Sequence, residues 1–142
     1  MAISILFGSL MILSCIYVAG WGGQAGQWFA AAYVITAITS MLLTPAYMVW
    51  RGTHMGVFAA DVAYLCVLFG FAVRFRRYWF IWAAGFQLDT VITHFVTLLD
   101  ASFLPDVYRG LATVWSLPIL VVAIIGVARD RNMKERRNAG CA

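Results

Sequence analysis

Asp61, Asp89 and His94 are the residues of this chain best suited to chemistry, because each stands inside an otherwise apolar segment. Placing an aspartate at the depth of a hydrocarbon layer costs at least about 2.5 kcal/mol, so such side chains face a protein interior and pair. A carboxylate beside an imidazole can pass a proton or hold a small polar ligand. Gln87 adds an amide that can donate and accept. Gln87, Thr90, His94 and Thr97 recur at i, i+3, i+7 and i+10, which is one stripe of a helix. Asp89 and Thr93 lie beside that stripe. A second stripe of Tyr33, Thr36, Ser40, Thr44 and Tyr47 lies earlier in the chain.

Asp61, Asp89, His94 and Gln87 are therefore the candidates for a proton relay or ligand site. The plainer reading is a set of interhelical hydrogen bonds, and it carries more weight because polar side chains commonly join helices in a bundle. No catalytic residue is assigned. No ligand-spacing motif supports a metal held by Asp61, Asp89 and His94. The cofactor is left unknown, and haem is disfavoured. Axial histidines must face one another at similar depth, whereas His94 lies roughly 7 Å deeper than His54 at 1.5 Å per residue.

These residues must be positioned by helices in lipid. The chain has 142 residues, 63% hydrophobic and 11% charged, against about 25% charged in an ordinary soluble domain. A spanning helix needs about 20 mostly apolar residues. Five segments meet or approach that length, at about 3–20, 28–50, 54–73, 78–99 and 108–128. The expected fold is an all-α integral membrane protein, a polytopic bundle of five transmembrane helices forming one domain over residues 1–128. Residues 129–142 form a basic cytoplasmic tail. Glycine-rich 20–27, polar 51–54, basic 74–77 and acidic 100–109 read as the connectors. Pro105 lies in the last of these, and Pro45 and Pro118 are expected to kink or end helical turns.

The third and fourth segments are joined by a short turn. Folding them about residue 76 sets residue 58 level with residue 94. Asp61 then falls about level with Val91, within one helical turn of His94, and Asp89 lies deeper.

Charge sets the orientation. With the N-terminus outside, Arg74, Arg76, Arg77, Arg129, Arg131, Lys134, Arg136 and Arg137 all face the cytoplasm, and Arg51 and Arg109 remain outside. Positive charge accumulates on the cytoplasmic side, so the N-terminus is expected outside and the C-terminus in the cytoplasm. Trp21 and Trp28, Tyr47 and Trp50, Tyr78, Trp79 and Trp82, and Tyr108 fall where an interfacial aromatic belt is expected. The first segment lacks the basic region of a signal peptide and is read as an uncleaved anchor, although Ile12-Leu13-Ser14-Cys15 faintly resembles a lipoprotein cleavage box.

The net charge of +4 belongs to this topology and forms no basic face with interleaved aromatics, so nucleic acid is excluded as a partner. Cys15 and Cys66 are expected to pack as small hydrophobes, and Cys141 lies in the tail. Gly22/Gly26 and Gly52/Gly56 have GxxxG spacing at connectors, where a dimerisation motif is not expected. No internal repeat, phosphate loop, nucleophile elbow or HExxH motif is present.

Two functions fit. The first is a small non-catalytic accessory or assembly subunit of a larger complex in a bacterial inner membrane, with the lipid bilayer and other proteins as partners. The alternative is an intramembrane carrier, enzyme or small-ligand binder using the Asp/His site between the third and fourth helices. The first is preferred, because no enzymatic motif is present and almost no mass lies outside the apolar segments.

Overall fold

A computed structural model describes residues 2–43, 55–99 and 105–140. Five helices account for nearly all of them: α1 (Ala2–Trp21), α2 (Gly23–Leu43), α3 (Met55–Phe75), α4 (Tyr78–Leu99) and α5 (Pro105–Ala139). No strand occurs among the described residues. Two of the helices, α2 and α3, are long and apolar enough to cross a membrane on length and composition, and α1 contributes the shorter apolar stretch Ile5–Trp21.

Each helix packs against its neighbours in sequence, and α5 closes onto α1 to complete a ring. The α3–α4 turn and the start of α4 meet the last third of α5, where Arg77 and Trp79 bond Asp130. The α1–α2 turn lies close by, since Gly22 approaches Val127. One end of the ring, the basic end, therefore collects the two basic clusters.

Differences of three residues or more from the sequence expectation fall on two helices. The first is at α2, which begins at Gly23, five residues before the expected start at Trp28. Gly22 is the only interruption, because Gly23 adopts φ 61°, a left-handed conformation that costs glycine little. The run 20–27 is consequently almost all helix. Gly22 and Gly26 act in close packing within the chain: a Cβ on either would meet the Val18 carbonyl oxygen, at 2.5 Å and 2.1 Å.

The second is at α5, which runs from Pro105 to Ala139 without interruption at Pro118. Pro105 stands at the first helical position, where proline's missing N–H is no loss, so the helix starts three residues before the expected Tyr108. The charged segment after Ala128 is helix too. It is supported by an i, i+4 pair, with Arg131 Nε 2.9 Å from Glu135 Oε1. Pro45, Arg51, Gly52, His54 and Cys141 lie outside the described residues.

The basic end is filled with rings. Phe29 of α2 meets Trp79 and Phe80 of α4 at centroid distances of 5.2 and 6.2 Å, and Phe71 and Phe75 of α3 also pack on Phe80. Trp79 was expected in an interfacial belt, but it is buried in the core, pressed against Gly126 so closely that a Cβ there would fall 2.3 Å from its Cγ. Trp21, Trp28, Tyr78 and Trp82 are exposed. Cys15 is buried, whereas Cys66 faces outward from α3 and does not pack as a core residue.

Candidate functional site

The turn at Arg76 and Arg77 fixes the register of α3 against α4. Arg76 takes φ 50°, and its N–H donates to the Ala72 carbonyl at 3.0 Å, a left-handed cap that stops α3. α4 starts at Tyr78 and runs back antiparallel. This register brings Asp61 between Gln87 and His94, two turns apart on one face of α4.

The Asp61 carboxylate has a donor on each oxygen. His94 Nε2 lies 2.9 Å from Oδ2, and Gln87 Nε2 donates to Oδ1 at 3.1 Å. Gln87 Nε2 also lies 3.3 Å from the Asp61 backbone carbonyl. The His94 side chain is 4% exposed and that of Asp61 13%. A carboxylate, an amide and an imidazole are thus held together with little access to solvent. Such a triad can fix two helices in register, and it can also exchange a proton between carboxylate and imidazole.

Three of the four sequence candidates, Asp61, Gln87 and His94, come together. Asp89 does not join them. Two residues along a helix turn the side chain through about 200°, which directs Asp89 away from the stripe of Gln87, and no hydrogen bond or ion pair reaches its carboxylate among the described residues. No group of three or more His, Cys, Asp or Glu side chains that could hold a metal occurs among them either. The haem pairing involves His54, which is not among them.

The expected stripe on α4 is buried throughout: Gln87, Thr90, His94 and Thr97 all face inward. Its threonines contribute less to interhelical bonding than expected. Thr90, Thr93 and Thr97 donate to carbonyls of their own helix, and Thr36 of α2 does the same. From the second stripe, Tyr33 is buried and bonds Ser116 of α5, while Thr44 and Tyr47 lie outside the described residues.

The sequence reading missed two features. Tyr64 is one turn from Asp61 on α3 and packs edge-on against Tyr33 at 6.0 Å. Its buried hydroxyl has no hydrogen-bond partner among the described residues. Its i, i+3 spacing from Asp61 was the available signal. The second is Asp130, whose Oδ2 accepts from Arg77 Nη1 and, at 3.3 Å, from Trp79 Nε1. Nothing local marks that contact, since it joins residues more than 50 positions apart.

The chain matches no protein-family model, and no curated protein or solved structure matches it. Among the described residues, the fold and the site define an all-helical five-helix ring with a buried carboxylate–amide–imidazole cluster between α3 and α4.

Proposed function

We propose that the chain is a multi-pass membrane protein, most simply of a bacterial inner membrane, and that it serves as a non-catalytic accessory or assembly subunit of a larger membrane complex. All five helices cross in this reading, with the N-terminus outside and the basic end in the cytoplasm. The observation that carries it is the inverted distribution of polarity on α4. Gln87 and His94 are each 3% exposed, whereas Ile81, Trp82, Ile92 and Phe95 on the same helix are 49–66% exposed. A helix packed in water shows the opposite pattern. Large apolar side chains also face outward on the other helices, among them Ile5, Leu13, Ile35, Phe69 and Ile125. Lipid is the solvent in which that surface carries no penalty.

The accessory role is supported by the state of Asp61. Both of its oxygens are satisfied within the chain, which is what an interhelical clasp requires. The turns at the basic end are also short, Gly22 at one and Arg76-Arg77 at the other.

Washing native membranes with alkaline carbonate tests the location, and the protein should stay in the pellet. Extraction in mild detergent, followed by the mass and protein composition of the particle, tests the role. Larger partners in fixed stoichiometry are expected. A lone monomer or a homo-oligomer would overturn the accessory reading.

A second reading, an intramembrane carrier, enzyme or small-ligand binder centred on Asp61 and His94, is favoured by one observation. The buried Tyr64 hydroxyl has no partner among the described residues, and leaving such a group unpaired costs about 1–3 kcal/mol. A water or a polar ligand atom would remove that cost. Asp61→Asn would then abolish activity in cells at unchanged membrane levels, whereas wild-type behaviour would leave the cluster purely structural.

A further inference from the structure

A cleft of about 340 Å³ opens at the basic end between the start of α2 and the end of α3, lined by Gln24, Trp28, Phe71, Arg74 and Phe75. Gln24 and Trp28 are one turn apart on α2. Phe71 and Phe75 are one turn apart on α3, with ring centroids 5.8 Å apart. The Arg74 guanidinium carbon stands 5.8 Å from the centroid of the Phe75 ring. The walls are therefore largely aromatic, with one cation and one amide.

Charge bookkeeping at this end separates Arg74 from its neighbours. Arg77 is committed to Asp130, and Arg131 to Glu135. Arg74 has no carboxylate partner among the described residues, although Arg76, Arg129, Lys134, Arg136 and Arg137 add further positive charge in the same part of the chain. An aromatic slot beside an uncompensated guanidinium suits an anion attached to an apolar body. A basic pocket between helices on the cytoplasmic face is a recurrent way to hold an acidic headgroup, and an arginine can bind phosphate oxygens in a bidentate manner.

We propose that this cleft binds one acidic membrane phospholipid. Arg74 and Gln24 donate to its phosphate, and Trp28, Phe71 and Phe75 pack against its glycerol and upper acyl region. The inference rests on the membrane reading above and adds a ligand class and a site to it.

The test uses the full chain, purified in detergent and presented with equal amounts of phosphatidylglycerol and phosphatidylcholine, with retained lipid counted by native mass spectrometry. Wild type should retain phosphatidylglycerol at least several-fold over phosphatidylcholine. Arg74→Gln should bring that ratio near one, and Arg74→Lys should keep most of it. Arg136→Gln removes the same charge from α5, outside the cleft, and should leave the ratio unchanged. Equal retention of both lipids by wild type, or an equal loss in Arg136→Gln and Arg74→Gln, would overturn the proposal. So would displacement of the lipid by an equal concentration of inorganic phosphate, because the apolar walls would then contribute nothing. A protein that stays in membranes yet shows no lipid preference refutes this inference alone. One recovered soluble without detergent refutes the membrane reading together with it.

Discussion

Two aspartates fasten this molecule, and they do it in different surroundings. Asp61 accepts from Gln87 and His94, and Asp130 accepts from Arg77 and Trp79. In each case both donors come from α4 or the turn that opens it. Asp61 and His94 are nearly closed off, at 13% and 4% exposure, whereas Asp130 and Arg77 stand at 25% and 38%. Water can replace a lost partner at the basic end and cannot readily do so at the buried cluster. The same count of hydrogen bonds should therefore carry different energetic weight.

The largest expected effect is at the buried cluster. His94→Leu leaves one oxygen of Asp61 without its donor and should destabilise the protein by about 2 kcal/mol, the scale of an unpaired buried polar group. The double variant Asp61→Leu with His94→Leu removes both members of that pair and should recover part of the loss, because a buried pair exchanged for apolar groups is often neutral, while Gln87 keeps the backbone carbonyl of residue 61 as its acceptor. Thermal unfolding in detergent, followed by intrinsic tryptophan fluorescence, reads both. A double variant weaker than the single would show that the pair adds net stability.

Next comes shape at the basic end. Gly126→Ala would force a Cβ into the Trp79 ring, and overpacking of this kind costs about 1–3 kcal/mol. Its effect should be independent of salt. Arg77→Ala should cost less, under about 1 kcal/mol, as exposed ion pairs do, and the loss should shrink further at 1 M salt. If Arg77→Ala matched His94→Leu, burial would not be what distinguishes the two aspartates. The smallest effect belongs to Asp89→Asn, which should leave the melting temperature of the purified protein within error of wild type.

The buried cluster was largely legible in the sequence, for a geometric reason. A two-residue turn leaves antiparallel helices no freedom to slide, so residue 61 had to fall near residue 91, between the two donors that hold it. The polar stripe at i, i+3, i+7 and i+10 named the inward face. Asp89 was grouped with that face by proximity along the chain, where the angle about the helix axis separates it. The start of α2 was misplaced because glycines signal breaks and close contacts alike, and only packing tells them apart. Here Gly23 makes the turn, while Gly22 and Gly26 admit the Val18 carbonyl. The helical tail had a local signal in Arg131 and Glu135. Asp130 had none, because its partners meet it only once α5 has folded back along α4.

The closure of α5 onto α1 sets an order of events in the cell. Roughly eighty residues separate the end of α1 from the start of α5, which at about 5–20 residues per second is roughly 5–15 seconds of synthesis. Through that interval α2 is the main companion of α1 among the described helices, held by the glycine contacts at Gly22 and Gly26, and the flank that α5 will cover stands open. A chaperone or insertase that shelters this flank would have to release it as α5 emerges. Ribosomes stalled before Pro105 should therefore hold the chain in its most vulnerable form.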